Sequence, residues 1–186
     1  MSPFAAFAQA PAAQVKDLQT KAEEGDINAE RELGYRYSSG KDVAQDYAEA
    51  AKWYRRAAEK GDSGAQVWLG RAYAYGDGVP QDDVKAVEWY YKSAKHGNVE
   101  AYHALGLAYA LGKGVDKDYV KTYKWFKLAI DKGDKALDKL FDELTAQMTP
   151  EQISQGNMLV EQWLSGNNGS MAEPQSPGTQ PDMHRY

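Results

Sequence analysis

The sequence predicts an all-α fold, a solenoid of tandem helix–turn–helix repeats, and three observations carry that prediction. Glycines recur at one interval, with Gly25, Gly61, Gly97 and Gly133 each 36 residues apart. Many other positions obey the same interval: Leu33-Gly34, Leu69-Gly70 and Leu105-Gly106, then Tyr37, Tyr73 and Tyr109, then Val43, Val79 and Val115, then Trp53-Tyr54, Trp89-Tyr90 and Trp125-Phe126. Within each interval the apolar residues follow helical spacing, as in Ala29, Leu33 and Tyr37 at i, i+4 and i+8. A repeat of this length cannot bury its own apolar face, so the units must stack on one another.

Each unit reads as two helices. The first spans about Ala29 to Ser39, and the second, with Ala50, Trp53, Tyr54, Ala57 and Ala58 on one stripe, spans about Tyr47 to Lys60. Between them lies a loop that reads Gly76-Asp77-Gly78-Val79 in the second repeat and Gly112-Lys113-Gly114-Val115 in the third, a spacing suited to a helix stop and a turn with positive φ. The first repeat has Asp42 at the second glycine position, and Asp tolerates left-handed φ better than most residues. Gly34, Gly70 and Gly106 fall inside predicted helices, where each costs about 1 kcal/mol relative to Ala. Three such glycines at one register imply close approach of a neighbouring helix, with the Trp–aromatic pairs filling the core beside them.

The ends differ from the repeats. Residues 1–13 read as a flexible leader or a trimmed export signal: they are small and apolar, and Ala8-Gln9-Ala10 has the small-x-small form of a processing site, but no Lys or Arg precedes Lys16. The solenoid is assigned to residues 14–164: a half-repeat cap at 14–24, with Leu18 and Ala22 at the registers of Tyr54 and Ala58, full repeats at 25–60, 61–96 and 97–132, and a capping helix pair at 133–164. In that last pair Asp134 to Gln147 reads as one helix. Thr149-Pro150 with Gln152 predicts the capped start of a second, running to about Leu164. Residues 165–186, rich in Gly, Asn, Ser, Pro and Gln, read as a disordered tail.

Composition narrows the function. A net charge of −5 and a pI near 5.3 argue against a nucleic-acid partner, which calls for a basic face. With no cysteine, disulfides, thiolate metal sites and a Cys nucleophile are excluded. No run of about 18 apolar residues predicts a membrane span. His96, His103 and His184 have no partner at metal-ligand spacing. No nucleophile elbow, phosphate loop or carboxylate pair points to catalysis, so neither catalytic residue, cofactor nor metal is predicted. Gln81-Asp82-Asp83 recurs as Gln45-Asp46 and Lys117-Asp118, which marks helix starts rather than a calcium site.

The segment Ala65 to Asn98, AQVWLGRAYAYGDGVPQDDVKAVEWYYKSAKHGN, closely resembles the Sel-one-like repeat family, relatives of the tetratricopeptide repeat. The resemblance covers about Gly25 to Gly133. It implies a right-handed superhelix of antiparallel helix pairs whose concave groove is lined mainly by first helices. Family members commonly act as adaptors for protein complexes, many bacterial ones are exported, and some concern the cell envelope. A cysteine-rich branch is associated with β-lactam binding and is a poor match here.

Mapped onto that superhelix, the groove positions are Arg31 and Tyr35, then Val67, Arg71 and Tyr75, then His103, Leu107 and Leu111. They vary between repeats while the frame does not. The expectation is a scaffold or adaptor that binds a protein or peptide segment, in the periplasm or secreted, with the cytoplasm as the alternative. A cell-envelope enzyme or glycan/β-lactam-binding protein, and a structural subunit of a larger assembly, are the competing readings.

Overall fold

The computed structural model describes residues 3–166. These contain helices α1 (Pro3–Glu23), α2 (Ile27–Ser39), α3 (Tyr47–Glu59), α4 (Ser63–Tyr75), α5 (Asp83–Lys95), α6 (Val99–Leu111), α7 (Tyr119–Asp131), α8 (Asp138–Thr145) and α9 (Pro150–Leu164), with one 3-10 turn at Lys135–Leu137. No strand occurs among the described residues. The chain divides into two compact units, residues 1–82 and 83–186. Apart from Ser165 and Gly166, the tail expected at 165–186 lies outside the described residues.

Helix starts in both units are set by short polar caps at the repeat interval. Asp26 accepts a hydrogen bond from Ala29 N at 2.9 Å, Asp62 from Ala65 N at 2.6 Å, and Asn98 from Glu100 N and Ala101 N. Second helices use Asp46, which accepts from Ala48 N and Glu49 N, and Asp118, which accepts from Lys121 N. Asp46 and Asp118, two of the acids that recur at helix starts in the sequence, are therefore N-caps, satisfying amides that have no intrahelical acceptor. First helices stop at glycines in the left-handed region: Gly40, Gly76 and Gly112 have φ of 73°, 78° and 69°. Asp42 takes the second loop position at φ 63°, held by Arg36, whose guanidinium donates to its carboxylate at 3.0 Å.

In the first unit α2 and α3 run antiparallel, and the pairing follows from one contact. A Cβ on Gly34 would lie 2.5 Å from the Tyr54 ring, so the bare backbone of α2 is what admits that ring. Leu33, Ala29 and Ala22 are buried beside it, with Leu18, Tyr37 and Trp53 packed around them. Leu18 and Ala22 of α1 thus pack on α2. Helix α1 runs from Pro3 through the boundary expected at residue 13. Glu30 is fully buried and meets Arg56 Nε and Lys60 Nζ, each at 2.9 Å. The same two cations donate to Ala22 O and Gly25 O, covering the carbonyl end of α1.

The second unit repeats the device. A Cβ on Gly106 would lie 2.2 Å from the Phe126 ring. The capping pair copies it with a different residue: α9 places Gly156 where a Cβ would lie 2.4 Å from Tyr123 of α7. Its start is the predicted capping box, with Thr149 and Gln152 exchanging side-chain and backbone hydrogen bonds and Pro150 at the first helical position. The expected single helix over Asp134 to Gln147 is instead a 3-10 turn and the short α8. Asp134 caps the turn through Ala136 N, and Leu137 is buried at its end.

Covering α7 with α9 also buries Lys124, which is 2% exposed, although its counterparts Lys52 and Glu88 are exposed. Its ammonium lies 3.7 Å from the Trp125 ring centroid and 4.4 Å from that of Trp163. Burial, aided by Lys121, pulls its pKa from 10.5 down to about 7. Between pH 7 and 10.5 the unfolded chain therefore holds a proton that the folded chain does not, so stability rises with pH across that window. Tyr54 and Tyr109, pushed up to about 12 by burial, act in the opposite direction only above pH 10. The expected outcome is a higher urea midpoint at pH 9 than at pH 7, with the rise flattened in Lys124→Met. An unchanged rise in that variant would remove Lys124 as its source.

Candidate functional site

The first helices bury one face and leave a narrow stripe to solvent. On α4 the stripe is Trp68, Arg71 and Tyr75, at i, i+3 and i+7, with Gly64 one turn earlier. On α2 the same registers hold Asn28, Glu32, Tyr35 and Ser39. On α6, in the second unit, they hold Glu100, Ala104, Leu107 and Leu111.

Of the predicted groove residues, Tyr35, Arg71, Tyr75 and Leu111 are exposed, Tyr75 by 71% and Leu111 by 63%, and Leu107 is half-buried. The other register is corrected. Val67 is buried in the core and presents no contact surface. Arg31 is half-buried and paired with Asp62, the residue that caps α4. His103 is half-buried, 2.7 Å from Asp134, which caps the turn at Lys135. These two side chains tie a first helix to the cap that begins the next pair. At the equivalent places the middle repeat carries an uncharged set, Val67 and Asn98.

Sequence reasoning missed Trp68. Tryptophan at helical spacing reads as core, yet this side chain is 37% exposed. It is held from below by Tyr54, whose ring stacks on it at 5.9 Å and 10°, and the Tyr54 hydroxyl is fixed 3.2 Å from Ser38 Oγ. Above it lies the Arg71 guanidinium, 4.9 Å from the ring centroid. The signal available in the sequence is that Trp68 does not repeat: Glu32 and Ala104 occupy its register.

The first unit therefore offers an exposed, mixed aromatic and cationic face built from Tyr35, Trp68, Arg71 and Tyr75. Such a face supplies contact area with few rotors and a planar hydrogen-bonding fork, the chemistry of a binding surface. No group of three or more His, Cys, Asp or Glu at metal-binding distance occurs among the described residues. No helix among them is long and apolar enough to cross a membrane.

Tandem helix pairs with a repeated frame and a variable exposed stripe define a repeat solenoid of the all-α class. The Sel1 repeat model matches residues 27–62, 63–98 and 99–134, which begin where α2, α4 and α6 begin, and the chain belongs to the Sel1 repeat family. A crystal structure of a Sel1 repeat protein from Oxalobacter formigenes is similar at 37% identity and a TM-score of 0.63, over 70% of this chain and 98% of that one. Another is that of c5321, described as a protective antigen of uropathogenic Escherichia coli strains with an SLR fold. It has 27% identity and a TM-score of 0.75, over 89% of this chain and 37% of that one. Among curated proteins, the secretory immunoglobulin A-binding protein EsiB of Escherichia coli O6:H1 is 43% identical over 42 residues, 23% of this chain. The match spans only 9% of EsiB.

The frame role of the caps can be separated from the ion pairs. Asp62→Asn keeps a capping acceptor, as Asn98 does, and should lose less than ~1 kcal/mol, the range of a partly exposed ion pair. Asp62→Ala loses cap and tie together and should lose about 1–2 kcal/mol. Equal midpoints for the two variants in chemical denaturation would show that the cap contributes nothing.

Proposed function

We propose that this chain is a protein-interaction module, an adaptor or scaffold that holds a segment of a partner protein on the exposed faces of its first helices. One observation carries the reading. The frame repeats residue for residue, while Tyr35, Trp68, Arg71 and Tyr75 do not repeat and stand exposed. A packing role asks for repetition, so side chains that are large, exposed and non-repeating answer to something outside the chain. Tyr, Trp and Arg are the residue types that most often anchor protein interfaces. A rigid repeat surface also loses little ordering free energy on docking. The name of EsiB, a secretory immunoglobulin A-binding protein, describes a relative that binds a protein. Binding accounts for this face better than an envelope enzyme does, because the face offers no nucleophile beside a base.

Export is part of the same reading, resting on Ala8-Gln9-Ala10 near the start of the chain. It places the work in the periplasm or outside the cell, and fractionation of the native host would place it.

Arg71→Ala combined with Tyr75→Ala tests the assignment. Both side chains are exposed, so the thermal melt should be unchanged. Capture of the principal partner by crosslinking from the native host should weaken by ~2 kcal/mol or more. Unaltered capture would move the binding surface to the second helices or the ends. A large self-associated mass in size-exclusion chromatography would favour the structural-subunit reading instead.

A further inference from the structure

We propose that the α2/α4 face takes an acidic linear segment of its partner, with the side-chain carboxylate of an internal Asp or Glu on the Arg71 guanidinium. The proposal rests on the reading of this face as a protein-docking surface, and it names the chemistry that the surface selects.

Partner accounting singles out Arg71. Arg31 pairs with Asp62, Arg36 with Glu32 and Asp42, Arg55 donates to Tyr73 Oη at 2.9 Å, and Arg56 pairs with Glu30. Among the described arginines, Arg71 alone has neither a carboxylate nor a hydrogen-bond acceptor. Its one contact of this kind is the face of Trp68. Its Cζ lies 4.9 Å from the ring centroid, and with no internal acceptor its N–H donors are available for a carboxylate to accept two parallel hydrogen bonds. The fork is held in advance, because Trp68 is itself stacked on the buried ring of Tyr54. Glu32, the acid at the Trp68 register on α2, is engaged by Arg36 at 2.9 Å. The Glu32 carboxylate is thus directed to Arg36 and not to Arg71.

The surroundings decide between acids. A phosphate carries close to two charges and is read by clusters of arginines. Here the other arginines are already paired, and a single fork matches a single carboxylate. Trp68 stands one turn before Arg71 on α4 and Tyr75 one turn after. Apolar contact area is therefore offered on both sides of the charge, which suits a chain that continues in both directions past its acid rather than one that ends there. Planar or apolar side chains flanking the acid would rest on Trp68 and Tyr75, with Tyr35 of α2 alongside.

The probe is a bead-displayed set of acetylated heptapeptides, randomised at all seven positions and amidated at the C-terminus. Parallel sets carry a free C-terminus or phosphoserine in place of Asp and Glu. The full chain should select amidated peptides enriched in Asp or Glu at one internal position. Binding of a selected peptide, read by fluorescence anisotropy, should fall at least tenfold in Arg71→Gln. It should be unchanged in Lys52→Gln, which removes the same charge from exposed α3. Selection without acid enrichment, preference for the free C-terminus or for phosphoserine, or equal affinity of Arg71→Gln would overturn the acidic assignment and leave the docking face standing. Failure of the folded chain to select any peptide would overturn both.

Discussion

An aromatic ring laid on a bare helical backbone governs how this chain folds. Tyr54 on Gly34, Phe126 on Gly106 and Tyr123 on Gly156 are the same contact made three times, each with a hypothetical Cβ 2.2–2.5 Å from a ring carbon. The contact draws two helices together at one height and fixes their rotation about their own axes. Once the rotation is fixed, the identity of every buried and exposed position follows. Leu33 and Leu105 go inward with their neighbouring glycines, and the residues two places on, Tyr35 and Leu107, turn toward solvent. The intrinsic penalty of glycine within a helix, about 1 kcal/mol, is offset by burial of a whole aromatic ring.

That geometry separates structural from variable positions more sharply than composition does. Caps at the repeat interval hold the helix starts, and two of them, Asp62 and Asp134, also receive a side chain from the preceding first helix. What remains on the exposed stripe has no framework duty, and in the first unit it is filled by Tyr35, Trp68, Arg71 and Tyr75. Arg71 shows the distinction most clearly, since the other described arginines serve internal ties. In the second unit the stripe carries Leu107 and Leu111, a plainer aliphatic surface. The two units therefore present different chemistry from one frame, which is how a repeat protein can be specific without changing its fold.

Much of this was legible in the sequence because it is local or repeated. The helix pairs, the left-handed glycines, the positive φ of Asp42 and the capping box at Thr149 all follow from residue type and spacing. The face was legible only in part. Positions 31, 67 and 103 lie one residue, about 100° of helical turn, from the exposed register, and a long Arg cannot by itself reveal whether it points to solvent or back to a cap. The pairing of Arg31 with Asp62 and of His103 with Asp134, against Val67 and Asn98, was the available clue. Trp68 was hidden by the prior that Trp is core, although its failure to repeat argued otherwise. Burial of Lys124 could not be read at all, because it depends on α9 covering α7 through a glycine, Gly156, that lies outside the repeat register.

The most direct test of the ring-on-glycine constraint is a double-mutant cycle on Gly106 and Phe126, read by urea denaturation. With Phe126 present, Gly106→Ala places a methyl group inside the ring's space and should be strongly destabilising. With Phe126→Ala, the space is vacated and the same substitution should be neutral or stabilising, as Ala for Gly is in an ordinary helix. The account predicts a coupling of ~1 kcal/mol or more between the two sites. Additive effects within error would contradict it, and would mean that the register of the helix pairs is set by something other than this contact.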